Sequence, residues 1–179
     1  MEDEKRLISA CLRGDRAAQR TLYVVHKDKL YTLCLRYAYN REEAEDMLQE
    51  GFIKIYRDLK NYKPIAPLYA WMRTVVVRTA LEHIRKRKRR PQSQGTVDEF
   101  YDLGRDEESS SQMQAQELIT LIRQLPTDLC YCFNLYAIDG YSHKEIAELL
   151  GITEGNSKMR VSRARAILKK QVEKLFEVN

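Results

Sequence analysis

At 179 residues the chain has room for one or two small domains. Charged residues make up 32% of it and the net charge is only +5, so where the charge falls says more than its sum. No apolar stretch reaches the roughly 18 residues of a membrane span, and the opening Met1-Glu-Asp-Glu-Lys-Arg6 is not followed by the apolar run of a signal peptide, so no membrane insertion and a soluble, cytoplasmic protein are expected.

The first apolar periodicity, Leu7, Ile8, Cys11 and Leu12, predicts a helix over Glu2 to Leu12. Gly14-Asp15 stops it and caps the next. From Arg16 to Tyr39, Ala18, Leu22, Val25, Leu30, Leu33, Cys34 and Tyr37 fit one long helix with an untidy middle around Lys27 to Lys29. Asn40 and Glu43 have capping-box spacing and open a third helix, Arg41 to about Asn61. Ala44, Met47, Leu48, Gly51, Phe52, Ile55 and Leu59 form its core stripe. Asp46, Gln49, Glu50, Ile53, Tyr56 and Arg57 point away from that stripe. An exposed Ile and Tyr among carboxylates fit a protein-docking surface, and they fit equally a solvated face with two stray apolar residues.

Pro64 and Pro67 break the helix. A fourth helix, from about Leu68 to Arg87, is apolar around much of its girth and ends in the unbroken basic run Arg85-Lys-Arg-Lys-Arg-Arg90. Such cations suit both a helix C-terminus and a polyanion. Tyr62, Tyr69 and Trp71 lie close to Lys60, Lys63 and Arg73, a mixture that suits stacking on unpaired bases beside a phosphate track. Core aromatics beside a solvated cationic tail fit it as well. Pro91 to about Gln112 loses the apolar period and turns acidic, which predicts a flexible linker.

The helical pattern returns near Met113. Leu118, Leu121, Ile122 and Leu125 lead to Pro126, and Thr127 or Asp128 caps a helix whose stripe is Leu129, Cys132, Phe133, Tyr136 and Ala137. After Asp139-Gly140, Ser142 and Glu145 form a capping box, Ile146, Leu149 and Leu150 a buried face, Gly151 a left-handed terminus, and Thr153 the cap of a last helix. Two helices joined by a short Gly-containing turn read as a helix-turn-helix. At about 100° per residue, Ser157, Val161, Ala164 and Leu168 of the last helix share a buried side. Gly155, Met159, Ser162, Arg163 and Ala166 face outward, with Lys158, Arg160 and Arg165 on the flanks. A small-residue face around one Arg, rimmed by cations, suits a major groove. A basic solvated helix is the plain alternative.

Cys11, Cys34, Cys130 and Cys132 sit in helical patterns and read as reduced, half-buried thiols. Cys130-Tyr-Cys132 has no further His or Cys at ligand spacing, and His26, His83 and His143 are scattered singly, so no metal and no cofactor are expected. Nothing resembles a nucleotide loop or a catalytic nucleophile, so neither an enzyme nor a small-molecule substrate is expected.

Taken together, these residues resemble the sigma-70 family of bacterial RNA polymerase initiation factors. Ala44-Glu-Asp-Met-Leu-Gln-Glu-Gly-Phe-Ile-Lys-Ile-Tyr56 is similar to region 2.2. Leu68-Tyr-Ala-Trp-Met-Arg73 and the helix ending Leu81-Glu-His-Ile-Arg-Lys-Arg87 are similar to regions 2.3 to 2.4. Leu125-Pro126, Asp139 to Gly155 and Ser162-Arg-Ala-Arg165 are similar to region 4. The length resembles the extracytoplasmic-function (ECF) subgroup, with two domains and a linker. The resemblance implies an all-α fold: a region 2 domain over 1–90, a linker over 91–112 and a region 4 domain over 113–179. It further implies that Asp46, Gln49, Glu50, Ile53, Lys54, Tyr56 and Arg57 meet core RNA polymerase. Lys60, Tyr62, Lys63, Trp71, Arg73, Arg78, Arg85 and Arg87 would bind the −10 element of promoter DNA and its unpaired strand. Asn156, Lys158, Met159, Arg160, Ser162, Arg163 and Arg165 would read the −35 element. An anti-sigma factor is an expected further partner. Arg78 stands where the subgroup usually carries Asn, and Asn156-Ser157 where it carries Thr-Val.

Two other classes use some of these features. A repressor or activator would use the same helix-turn-helix, usually as a dimer, but no sustained heptad or dimerisation helix is present. An RNA-processing enzyme would need an acid-base pair or metal cluster, and none is in the sequence.

Overall fold

The computed structural model describes residues 2–89, 118 and 120–177, and among them there is no strand. The chain divides into two units, Met1–Asp102 and Leu103–Asn179. The linker expected over Pro91 to Gln112 lies outside the described residues.

In the first unit α1 spans Glu2–Leu12, α2 Arg16–Tyr37, α3 Arg41–Asp58 and α4 Leu68–Arg89, with a 3-10 turn at Leu59–Asn61 after α3. Asp15 caps α2 by accepting from the backbone N–H groups of Ala17 and Ala18. Asn40 caps α3 by accepting from the Glu43 N–H at 2.8 Å. The Glu43 carboxylate reaches back past Asn40 and accepts from the Tyr39 N–H instead, a box displaced by one residue. Helices α2, α3 and α4 pack on one another, with α1 against α2. Their shared core holds Leu22, Leu30, Leu33 and Tyr37 from α2, Ala44, Met47, Phe52 and Ile55 from α3, and Met72, Val76, Val77 and Ala80 from α4.

Gly51 is where α3 and α4 come closest. A Cβ built there would stand 3.0 Å from the Cγ2 of Val76, which is fully buried and β-branched, so it has little room to turn aside. Replacing Gly51 by Leu should therefore overpack the contact and cost about 1–3 kcal/mol, more than the gain in helix propensity returns. Urea unfolding of the purified chain measures this directly.

Several boundaries and faces differ from the sequence reading. Helix α2 ends at Tyr37 because Ala38 is already extended, and α3 gives way to the tighter turn at Leu59. Val25, expected on the core stripe of α2, is 60% exposed. Leu12 is exposed at the last position of α1.

In the second unit residues 120–123 are helical, α5 spans Thr127–Phe133, α6 His143–Leu150 and α7 Glu154–Glu177. The N-cap of α5 is Pro126, not Thr127 or Asp128, and it offers no side-chain acceptor. Asn134–Ile138 continues α5 as a π-helical segment. That wider turn shifts the register expected from a 3.6-residue period. Leu135 and Asn134 become fully buried, while Ala137, expected on the core stripe, is exposed. Leu118 is exposed as well. The core joins Ile122, Leu125 and Cys130 to Ala164 and Leu168 of α7, flanked by Leu121, Leu129, Phe133 and Ile167.

Candidate nucleic-acid and polymerase interfaces

The helix-turn-helix is built as its sequence signals require. Ser142 Oγ accepts from the Glu145 N–H, and the Glu145 carboxylate accepts from the Ser142 N–H at 2.8 Å, completing the capping box of α6. Gly151 ends α6 at φ 67°, a left-handed position that suits Gly. Thr153 Oγ1 accepts from the Asn156 N–H at 3.1 Å and starts α7. Ser157, Val161, Ala164 and Leu168 are all buried, so the angular reading of α7 holds. Gly155, Met159, Ser162, Arg163 and Ala166, on its outward face, are exposed.

The flanking cations are not equivalent. Arg160 is partly buried and pairs with Asp128 of α5 at 3.6 Å. Lys158 pairs with Glu154 one turn back at 2.8 Å, both well exposed. Arg165 lies over the ring of Tyr136. Arg163 is exposed between Met159, one turn back, and Ala166, one turn on.

In the first unit, α4 carries Trp71, Arg78 and Arg85 along one side by helical angle. Tyr62, in the loop before α4, packs on Trp71 with ring centroids 5.6 Å apart. The Tyr62 hydroxyl donates to the Ala66 carbonyl at 2.7 Å, which closes the loop on itself. Lys60 and Lys63 are exposed on that loop. The result is an aromatic pair flanked by cations. Arg73 and Arg87 lie on another side of α4, and Arg87 is bound to Glu43 of α3 and lies over Tyr39. The structure thus joins Tyr62 to Trp71, lines Arg78 and Arg85 up with Trp71 along α4, leaves Lys60 and Lys63 exposed on either side of Tyr62 in the chain, and sets Arg73 and Arg87 on another side of the helix.

Helix α3 sorts its outward residues in the same way. Asp46, Gln49, Ile53 and Arg57 form an exposed stripe, with Ile53 62% exposed. Tyr56 leans towards α2: its hydroxyl donates to the Gln19 carbonyl at 2.8 Å, and burial pushes its phenol up to about 12. Glu50 and Lys54 lean towards α4. Glu50 meets Lys54 at 2.8 Å and His83 at 2.6 Å, and Lys54 reaches Glu82 at 2.7 Å. Burial works against the Lys54 ammonium, but its hydrogen bonds to both carboxylates outweigh that and raise its pKa. These two residues therefore brace α3 on α4.

The brace has a pH signature. The Lys54 hydrogen bond, with help from His83 and against partial burial, holds the Glu50 carboxyl near a pKa of about 2, below its ordinary 4.5. A depressed carboxylate stabilises the fold above its unfolded pKa and loses that contribution as pH falls through the folded value. Glu50→Gln should cost on the order of 1 kcal/mol at pH 7 after solvent screening. The gap to wild type in urea midpoint should close as pH falls from 4.5 towards 2.

All four cysteines are free and buried. Burial raises the Cys34 thiol to about 12 and also raises that of Cys11, so neither is a ready thiolate. Among the described residues no group of three His, Cys, Asp or Glu could hold a metal, and no helix is long and apolar enough to cross a membrane.

Both units match known proteins. Residues 22–90 match the family model for Sigma-70 region 2, and residues 115–168 that for Sigma-70, region 4. The ECF RNA polymerase sigma-E factor of Escherichia coli is 30% identical over 95% of this chain and 94% of its own length. The chain belongs to the sigma-70 family of RNA polymerase sigma factors, in its ECF subgroup. The RNA polymerase sigma-H factor of Pseudomonas aeruginosa is 28% identical to it over 98% of this chain and 96% of that protein. Among solved structures, the sigma factor RpoE of Bartonella quintana, crystallised with the anti-sigma factor NepR, is similar in fold. It has a TM-score of 0.54 and 20% identity over 86% of this chain and 96% of that one. CnrH, in complex with the cytosolic domain of CnrY, has a TM-score of 0.52 and 20% identity over 93% and 95%.

Two features of this sigma factor escaped the sequence reading. Ile65 is 89% exposed at the tip of the loop between Tyr62 and α4, an apolar residue held out between Pro64 and Pro67. An Ile flanked by prolines in a polar loop was the available signal. The contacts of His143 with Ser157 and Tyr136 had no such marker.

Proposed function

We propose that this sigma factor divides promoter recognition between its two units. The exposed stripe of α3, with Asp46, Gln49, Ile53 and Arg57, docks on core RNA polymerase. The Tyr62–Trp71 pair, with Lys60, Lys63, Arg78 and Arg85, engages the −10 element and holds unpaired bases. The outward face of α7, centred on Arg163, enters the major groove of the −35 element. The chain brings no catalytic chemistry of its own, acts in the cytoplasm with the polymerase, and is held in check by an anti-sigma factor. What carries the reading is the exposed face of α7: Arg163 with Gly155, Met159, Ser162 and Ala166, on a helix that buries Ser157, Val161, Ala164 and Leu168 on its opposite side.

Arg163 is the residue to test. If it reads a guanine with both guanidinium arms, Arg163→Ala should weaken −35 binding by roughly 1–3 kcal/mol and relax preference at one base pair. Lys158→Ala should instead weaken all sequences alike and reduce the salt slope. Titration of holoenzyme against promoters substituted base by base distinguishes these outcomes. A uniform loss for Arg163→Ala would place it on phosphate.

A further inference from the structure

Side chains from two other elements tie the beginning of α7 to its middle. Ser157 is fully buried, and its Oγ shares a hydrogen bond of 3.0 Å with Nδ1 of His143, the first residue of α6. A hydroxyl buried on an otherwise apolar helix side needs such a partner. His143 stacks on Tyr136, with ring centroids 4.3 Å apart and planes 13° from parallel. Tyr136 belongs to the π-helical segment that follows α5. Arg165, about two turns beyond Ser157 along α7, lies over the same ring with its Cζ 5.3 Å from the centroid. The path leaves α7 at Ser157 and returns to it at Arg165.

We propose that Tyr136, anchored through His143 to Ser157, is a positioning residue for Arg165 in −35 binding. This rests on the reading that α7 binds −35 DNA. Arg165 stands on the flank of α7 rather than at its centre, which suits a phosphate rather than a base edge. A long exposed Arg ordinarily loses much rotamer freedom on meeting a phosphate. A guanidinium already resting on an aromatic face loses less, so the contact is stronger for the same geometry. The π segment matters because its wider turn sets the direction in which Tyr136 leaves the helix. The Ser at position 157 matters because it gives His143 a fixed partner where an apolar residue would give none.

The test is a double-mutant cycle on the full chain assembled with core RNA polymerase, titrated against −35 promoter DNA over a range of salt. Arg165→Ala should weaken binding roughly fivefold and lower the salt slope by about one. Tyr136→Leu should reproduce most of that loss, and Tyr136→Leu with Arg165→Ala should be no weaker than Arg165→Ala alone. Tyr136→Phe, which keeps the ring, should bind as wild type. A second cycle, His143→Ala with Arg165→Ala, serves if Tyr136→Leu fails to fold, and should show the same non-additivity. Losses that multiply in the cycle, or a Tyr136→Phe protein as weak as Tyr136→Leu, would overturn the proposal. So would an unchanged Arg165→Ala protein. If Arg163→Ala binds as weakly as expected while Arg165→Ala is unchanged, only the role of Tyr136 fails. If neither weakens binding, the −35 reading fails and takes this proposal with it.

Discussion

Replacing Ile53 by Glu should weaken binding to core RNA polymerase by roughly thirtyfold, about 2 kcal/mol. Ile53 is the large apolar residue of the exposed α3 stripe, between Gln49 and Arg57 by helical neighbourhood. An apolar side chain at the centre of a polar stripe is the arrangement of an interface anchor, and a carboxylate there would be buried without a partner on docking. The fold should be little affected, because Ile53 is 62% exposed. Asp46→Ala and Gln49→Ala should have smaller effects in the same direction. Glu50→Ala is a poorer probe than its sequence position promises, since it also breaks the contact with His83 of α4 and the pair with Lys54 within α3.

Trp71→Ala should cost about 1–3 kcal/mol in holding the unpaired strand, the range of one base stacked on one aromatic ring. The Trp71 ring is half-buried and supported on one side by Tyr62, so it is a rigid platform rather than a free side chain. Permanganate reactivity of −10 thymines in the open complex should fall, whereas closed-complex binding to double-stranded promoter should change little. Equal loss in both would show that Trp71 acts before the strands part.

Much of this was legible in the sequence because local chemistry declares itself by spacing. Asp15, Asn40, Ser142 with Glu145, and Thr153 each cap the helix that follows them, and Gly151 takes the left-handed position. The buried side of α7 follows from angle alone. What spacing cannot announce are contacts between helices far apart in the chain. Glu50 looked like part of a docking face, but its partner His83 stands on the next helix. Arg87 looked like a DNA cation, but Glu43 takes it up. Helical angle places Arg160 on the flank of α7 but gives no sign of Asp128 beside it. The π segment was invisible for a different reason: any periodicity argument assumes the pitch that Asn134–Ile138 abandons.

On this reading, polymerase and −35 DNA are met by separate surfaces in separate units. The most direct measurement is a pair of titrations for Ile53→Glu and Arg163→Ala, one against core RNA polymerase and one of the assembled holoenzyme against promoter DNA. A crossed result is expected: Ile53→Glu loses core binding but, once assembled at high concentration, keeps the base preference of wild type at −35, while Arg163→Ala binds core normally and loses that preference. Loss of core binding by Arg163→Ala as severe as that of Ile53→Glu, or full core binding by Ile53→Glu, would contradict it.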